Sequence, residues 1–149
     1  MMRYDELSDE VLCALCVYRE ARGEGELGKR GVAHVILNRM KANKFFGHDV
    51  RSVILKPYQF SSFNASDPNV DVWPHKENDA AWTECVDTAG KVLLGQDPDL
   101  TNGALYYFSP PLTEPPHAWG PVELTLETGN LKFYKPVLVP PIGVEESVV

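Results

Sequence analysis

The chain is poor in cysteine, with only Cys13, Cys16 and Cys85 in 149 residues. An odd count without framework spacing excludes a disulfide-built secreted domain. Cys13 and Cys16 form a C-x-x-C, but it lies inside an apolar run. A redox pair needs a partly exposed, electropositive helix N-terminus, so buried packing cysteines are expected. No basic run occurs, and 14 Lys and Arg against 21 Asp and Glu leave a net charge of −7. Nucleic acid and anionic membranes are therefore disfavoured as partners. No apolar stretch approaches the ~20 residues that span a bilayer, so no stable membrane association is expected. The first ten residues are polar and acidic, without the basic and apolar regions of a signal peptide, which predicts synthesis in the cytoplasm. There is no H-E-x-x-H, and His34, His48, His75 and His117 are scattered. Neither a metal site nor a cofactor is expected. Internal repeats are absent.

What remains is an ordinary globular composition, 44% hydrophobic and 23% charged, in a chain long enough for one core. Ser8 is placed to cap a first helix, with Asp9 and Glu10 at its positive end and Leu7 and Leu12 as a staple. That helix is expected to stop near Gly23. A second helix is predicted over 29–41, a short one over 50–55 halted by Pro57, and a third from Asn78 or Asp79 to Gly95. Residues 58–75 form a long irregular segment, of the kind that more often serves function than accident. An aromatic strand follows over 104–108. Val122, Leu124 and Leu126 alternate with polar residues as a half-buried strand, paired through the Thr128-Gly129-Asn130 turn with residues 131–135. The layout is α+β: helices first, then a small antiparallel sheet. A single domain over 1–136 is expected, monomeric, with a Pro- and Val-rich extended tail over 137–149.

The most informative stretch is Tyr18-Arg19-Glu20-Ala21-Arg22-Gly23-Glu24. It follows Val11 to Tyr18, where every residue is apolar, a cysteine or a tyrosine. A helix apolar all round is buried, and it delivers Glu20 to the edge of a core. Desolvation and the negative pole of the helix C-terminus both oppose ionisation there. A carboxylic acid that keeps its proton is what a glycosidase uses to protonate a leaving-group oxygen. The bland alternative is a structural ion pair of Glu20 with Arg22 or Arg39.

The 18–24 segment, followed by Val32-Ala33-His34-Val35-Ile36-Leu37-Asn38-Arg39, resembles the spore cortex-lytic, or cell wall hydrolase, family. Gln59-Phe60-Ser61, Gly103-Ala104-Leu105-Tyr106-Tyr107-Phe108, Trp119, Gly129-Asn130 and Phe133-Tyr134 match in the same order. The resemblance spans roughly residues 10 to 135. It implies a peptidoglycan-cleaving enzyme of lysozyme-like or transglycosylase-like fold, mainly helical, with Glu20 as its catalytic acid and peptidoglycan glycan strands as its partner. Arg19 stands where the family commonly has glycine. An inward guanidinium would lower the carboxyl pKa, so Arg19 is expected to snorkel outward. The spore enzymes' signal peptide and wall-binding repeats have no counterpart here. The chain thus looks more like a bacteriophage endolysin, made in the host cytoplasm and acting on the wall after release.

Glu24 is the reserve acid, or it orients the loop that follows. Arg22, Tyr58, Gln59, Phe60 and Ser61 are candidates for a saccharide cleft, against a core role for Phe60 and a capping role for Ser61. Tyr106, Tyr107 and Trp119 face the same choice, because alternation puts Tyr106 and Phe108 on one face and Tyr107 on the other. Asn130, like Asn38, either touches substrate or orients a turn. A glycoside hydrolase needs a second carboxylate, at ~5 Å or ~6.5–9.5 Å by route, for which Asp67, Asp71 and Glu24 are available. A lytic transglycosylase needs one glutamate, which the single clear acid favours. The alternatives are a wall amidase and a non-catalytic wall-binding or phage structural module.

Overall fold

The structure is a computed structural model that describes residues 4–42, 45–57, 59–74 and 79–137. The proposed saccharide contact Tyr58, the helix start at Asn78 and the tail beyond Val137 lie outside the described residues. Four helices come first: α1 (Asp9–Ala21), α2 (Glu26–Ala42), α3 (Val50–Leu55) and α4 (Ala80–Leu93). Three strands follow: β1 (Tyr106–Phe108), β2 (Val122–Thr128) and β3 (Leu131–Pro136).

The helix starts are written in capping chemistry. The Ser8 side chain accepts from the Val11 amide at 3.2 Å, and Leu7 and Leu12 are both buried in the core beside it. Asp49 and Ser52 form a reciprocal capping box on α3, and Asp79 accepts from the Trp82 amide at 3.0 Å to open α4. α1 ends at Ala21, two residues before Gly23, with Arg22 as its cap. α2 begins three residues earlier than expected. Gly28 lies inside its first turns because a small residue is needed there: a Cβ would meet the Glu24 side chain at 2.9 Å and Leu131 at 3.4 Å.

α1 is the central element, and α2, α3 and α4 all pack on it. From Leu12 to Tyr18 its residues are buried, as the all-apolar run predicts. All three cysteines are free and buried. Burial pushes the Cys13 and Cys85 thiols up to about 12, which leaves them as packing groups without nucleophilic character.

The sheet is antiparallel with order β1-β3-β2, and it docks on the first half of α2. The contact is tight. A Cβ on Gly31 would lie 2.5 Å from the tip of the fully buried Phe133 ring. β2 departs from simple alternation. Leu124 pairs with Tyr134 and Leu126 with Phe133, so Thr125 is an extra residue in a bulge. The bulge moves Leu126 to the core face and leaves Leu124 49% exposed, where period-2 reading put both on one face.

Candidate active site

Glu20 is the penultimate residue of α1 and is half-buried. It stands where two cavities adjoin. The larger, about 580 Å³, is lined by Glu20, Arg39, Gln59, Ser61, Tyr107 and the stacked pair Tyr106 and Trp119, among others. The smaller, about 310 Å³, is lined by Glu20, Glu24, Ser109, Pro110, Asn130 and Leu131. Glu20 makes no ion pair with Arg22 or Arg39 among the described residues, so the salt-bridge alternative fails. Its carboxylate takes a short hydrogen bond on Oε1 from the Tyr107 hydroxyl and a long one, 3.4 Å, on Oε2 from the Ser62 amide. Burial, and then the Glu20 charge, push the Tyr107 phenol well above its usual range, so Tyr107 keeps its proton and donates it.

β1 divides its aromatics by face. Tyr107 pairs with Phe133 on the core side, which carries its hydroxyl to Glu20. Tyr106 lies on the opposite face, and its ring stacks on Trp119 at 4.7 Å and 12°. Phe108 and Tyr134, stacked at 5.4 Å, extend that layer. Both faces of the strand therefore reach the larger cavity, one with a hydroxyl and the other with a flat aromatic platform.

The site residues expected from sequence divide three ways. Gln59, Ser61, Tyr106, Tyr107, Trp119 and Asn130 do line the cavities around Glu20. Phe60 does not: it is 1% exposed and packs under the Arg39 guanidinium at 4.8 Å. In a buried turn, an aromatic ring is worth more as core than as surface. Arg22 also turns away, over the Tyr18 ring, and donates to the Arg19 carbonyl and Asn69 at 3.3 Å each. Glu24 lines the smaller cavity but is engaged, accepting from the Asn130 amide at 3.1 Å and its side-chain nitrogen at 3.4 Å. It holds the β2–β3 turn, where Gly129 has φ +55° and no room for a Cβ against Glu24. Asp67 caps the 3-10 turn at 68–71, Asp71 is exposed within that turn, and neither lines a Glu20 cavity.

Arg19 overturns its expectation. It is only 3% exposed, and its guanidinium sits over the rings of Tyr4, Phe63 and Trp73 at 5.4, 4.7 and 4.9 Å. Aromatic faces and backbone carbonyls supply what solvent would have supplied, so burial is tolerated without a carboxylate partner among the described residues.

Arg39 is the residue that sequence reading missed. Sequence reading considers it only as an ion-pair alternative for Glu20 and as the end of the 32–39 family-like segment, not as a lining of the cleft. In the fold it is buried, donates from Nε to the Leu105 carbonyl at 2.8 Å and lines the larger cavity. Its Nη1 is buried without a hydrogen-bond partner among the described residues, and burial holds its pKa below the usual arginine range. No sequence signal separates it from the other cations of α2, Lys29, Arg30 and Lys41.

Comparison with known proteins places this arrangement. Residues 23–134 match the Cell Wall Hydrolase family model. The chain is 35% identical over 113 residues to the spore cortex-lytic enzyme of Bacillus subtilis, covering 76% of this chain and 33% of that one. The Halalkalibacterium halodurans spore cortex-lytic enzyme is 38% identical over 103 residues, 69% of this chain and 28% of its own length. The chain thus spans about a third of these relatives. The crystal structure of the catalytic domain of Bacillus cereus SleB superposes with TM-score 0.61 and 34% identity, covering 85% of this chain and 89% of that domain. The catalytic domain of the germination-specific lytic transglycosylase SleB from Bacillus anthracis gives TM-score 0.64 and 28% identity, covering 90% and 100%. The mainly helical fold with its three-stranded sheet is the SleB catalytic fold, and the chain belongs to the cell wall hydrolase family.

Proposed function

We propose that the chain cleaves peptidoglycan glycan strands between N-acetylmuramic acid and N-acetylglucosamine as a lytic transglycosylase, with Glu20 as the only acid/base. The observation that carries this reading is the placement of Glu20 between an aromatic-walled cavity and a polar one. A strand laid across both brings its scissile oxygen over the carboxyl group. Glu20 protonates that oxygen, and the bond from the anomeric carbon to it breaks. The resulting carboxylate takes the proton of the muramyl 6-hydroxyl as that oxygen attacks the anomeric carbon. Glu20 is thereby reprotonated, and no water is consumed. Tyr107 holds the carboxylate through Oε1, and the Tyr106–Trp119 stack offers a face for a sugar ring.

The single-acid route is supported by Asp67 and Asp71 standing off the cavities and by the turn-holding role of Glu24. It is supported too by the Bacillus anthracis relative, which is a germination-specific lytic transglycosylase. The relatives named above are spore enzymes, so cortex peptidoglycan is the first substrate to try. They lend no support to a bacteriophage endolysin acting in host lysis. Mass spectrometry of products from defined peptidoglycan tests bond and route together. 1,6-Anhydromuramic ends are expected. Reducing muramic ends would assign hydrolysis, and free stem peptides an amidase.

A further inference from the structure

Within the 61–73 segment, Ser61 lines the larger cavity beside Glu20, while Phe63, Val72 and Trp73 pack on the core. Ser62 is 1% exposed, and its hydroxyl is buried without a hydrogen-bond partner among the described residues. Apart from the Asn69 side chain, which accepts from Arg22, the bonds from the 61–73 segment to α1 come from its backbone. The Ser62 amide points to Glu20 Oε2 at 3.4 Å, and the Ser62 carbonyl accepts from Arg19 Nη1 at 3.3 Å. Arg19 Nε and Nη2 also donate to the carbonyls of Val72 and Val70 at 2.9 and 2.8 Å, and Nη1 to the Tyr4 hydroxyl at 2.7 Å. One guanidinium therefore ties both ends of the segment to α1, one residue before the catalytic glutamate. Neighbours on a helix point about 100° apart, so Arg19 grips the segment from behind while Glu20 faces the cleft.

We propose that Arg19 is a positioning residue: its clamp on the 62–72 backbone aims the Ser62 N–H at the Glu20 carboxylate. This rests on the reading of Glu20 as the acid/base. When Glu20 gives up its proton, the charge left on Oε2 meets a fixed backbone donor, as Oε1 meets Tyr107. A long hydrogen bond in the free enzyme is compatible with such a role, because these bonds tighten once substrate is bound. The rigid fork and the flat stacking surface are properties of guanidinium that an ammonium lacks.

The test is nuclear magnetic resonance of the Ser62 amide during a pH titration, in wild type, Glu20→Gln, Arg19→Met and Arg19→Lys, with melting temperatures measured in parallel. Other charged or titratable groups face Glu20: Tyr107 from β1, Arg39 from α2, Cys16 on its own helix and Glu24 across the smaller cavity. The Glu20→Gln control separates their contributions. In wild type the Ser62 amide proton is expected to move with a single carboxyl titration that Glu20→Gln removes. In folded Arg19→Met and Arg19→Lys that response falls by more than half. The turnover number falls about tenfold to a hundredfold, the cost of a catalytic group held slightly out of place. Tyr4→Phe removes one partner of the clamp, gives a smaller change in the same direction, and carries the test if the Arg19 variants do not fold. An unchanged Ser62 titration in any folded clamp variant overturns the proposal. A wild type inert on peptidoglycan would instead overturn the function, and the amide titration would still decide the role of Arg19.

Discussion

On the proposed reading, Glu20 combines a half-buried position at a helix end with a hydroxyl that donates to Oε1 and a backbone amide that donates to Oε2. Glu20→Gln should lower wall-clearing by at least about a hundredfold, the usual worth of a positioned proton donor, with little change in melting temperature. Full activity in that variant would move the chemistry to Glu24. Tyr107→Phe leaves Oε1 without its donor, and the expected result is activity reduced about tenfold, read on soluble glycan, in a protein that still folds. Phe60 separates core from cleft. As a fully buried ring, Phe60→Ala should cost about 3–5 kcal/mol of stability. Were Phe60 a sugar platform, the same change would raise KM and spare the melting temperature.

At the scale of elements, the attachment of β3 to α2 depends on a missing side chain. Alanine is a better helix former than glycine by about 1 kcal/mol, which taken alone predicts that Gly31→Ala stabilises α2. The Phe133 ring stands where that methyl would go, at 2.5 Å. Overpacking of this kind costs about 1–3 kcal/mol, so the net effect should be destabilising. Chemical denaturation decides the sign. The bulge at Thr125 makes a second prediction. Leu124→Thr should be tolerated within about 0.5 kcal/mol, as surface changes usually are. Leu126→Thr, on the core face, should cost about 1–3 kcal/mol. Equal effects would mean that the bulge is misplaced.

Across the whole molecule, the loop from α4 to β1 is bound to α2 by ion pairs and hydrogen bonds. Asp97 meets His34 at 2.7 Å and Arg30 at 3.0 Å. Asp99 accepts from Asn38 at 2.9 Å and from the Thr101 and Gly103 amides at 2.8 and 3.0 Å. Burial would raise both carboxyl groups, but the hydrogen bonds outweigh it and hold both below the usual aspartate range. A depressed folded pKa means that these bonds stabilise fully above the unfolded value of about 4. Their contribution is lost as pH falls through the lower folded values. Melting temperature should therefore drop on acidification below about pH 4, and Asp99→Asn should flatten part of that drop.

The helices, their caps and the glutamate at the end of a buried run were legible from the chain alone. Those features are local: capping donors within three residues, an apolar run with one charge at its end, a turn motif between two strands. The stop of α1 near Gly23 was read correctly, but the start of α2 was placed too late, because Gly28 reads as connector and only its close approach to Glu24 and Leu131 shows why a glycine lies inside the helix. The faces of Leu124 and Leu126 and the inward turn of Arg19 were decided by tertiary structure. So were the burial of Phe60 and the place of Arg39 in the cleft. Each depends on what the fold brings to stand opposite, and for a long cation or an aromatic ring the energies of core and cleft differ only by those partners.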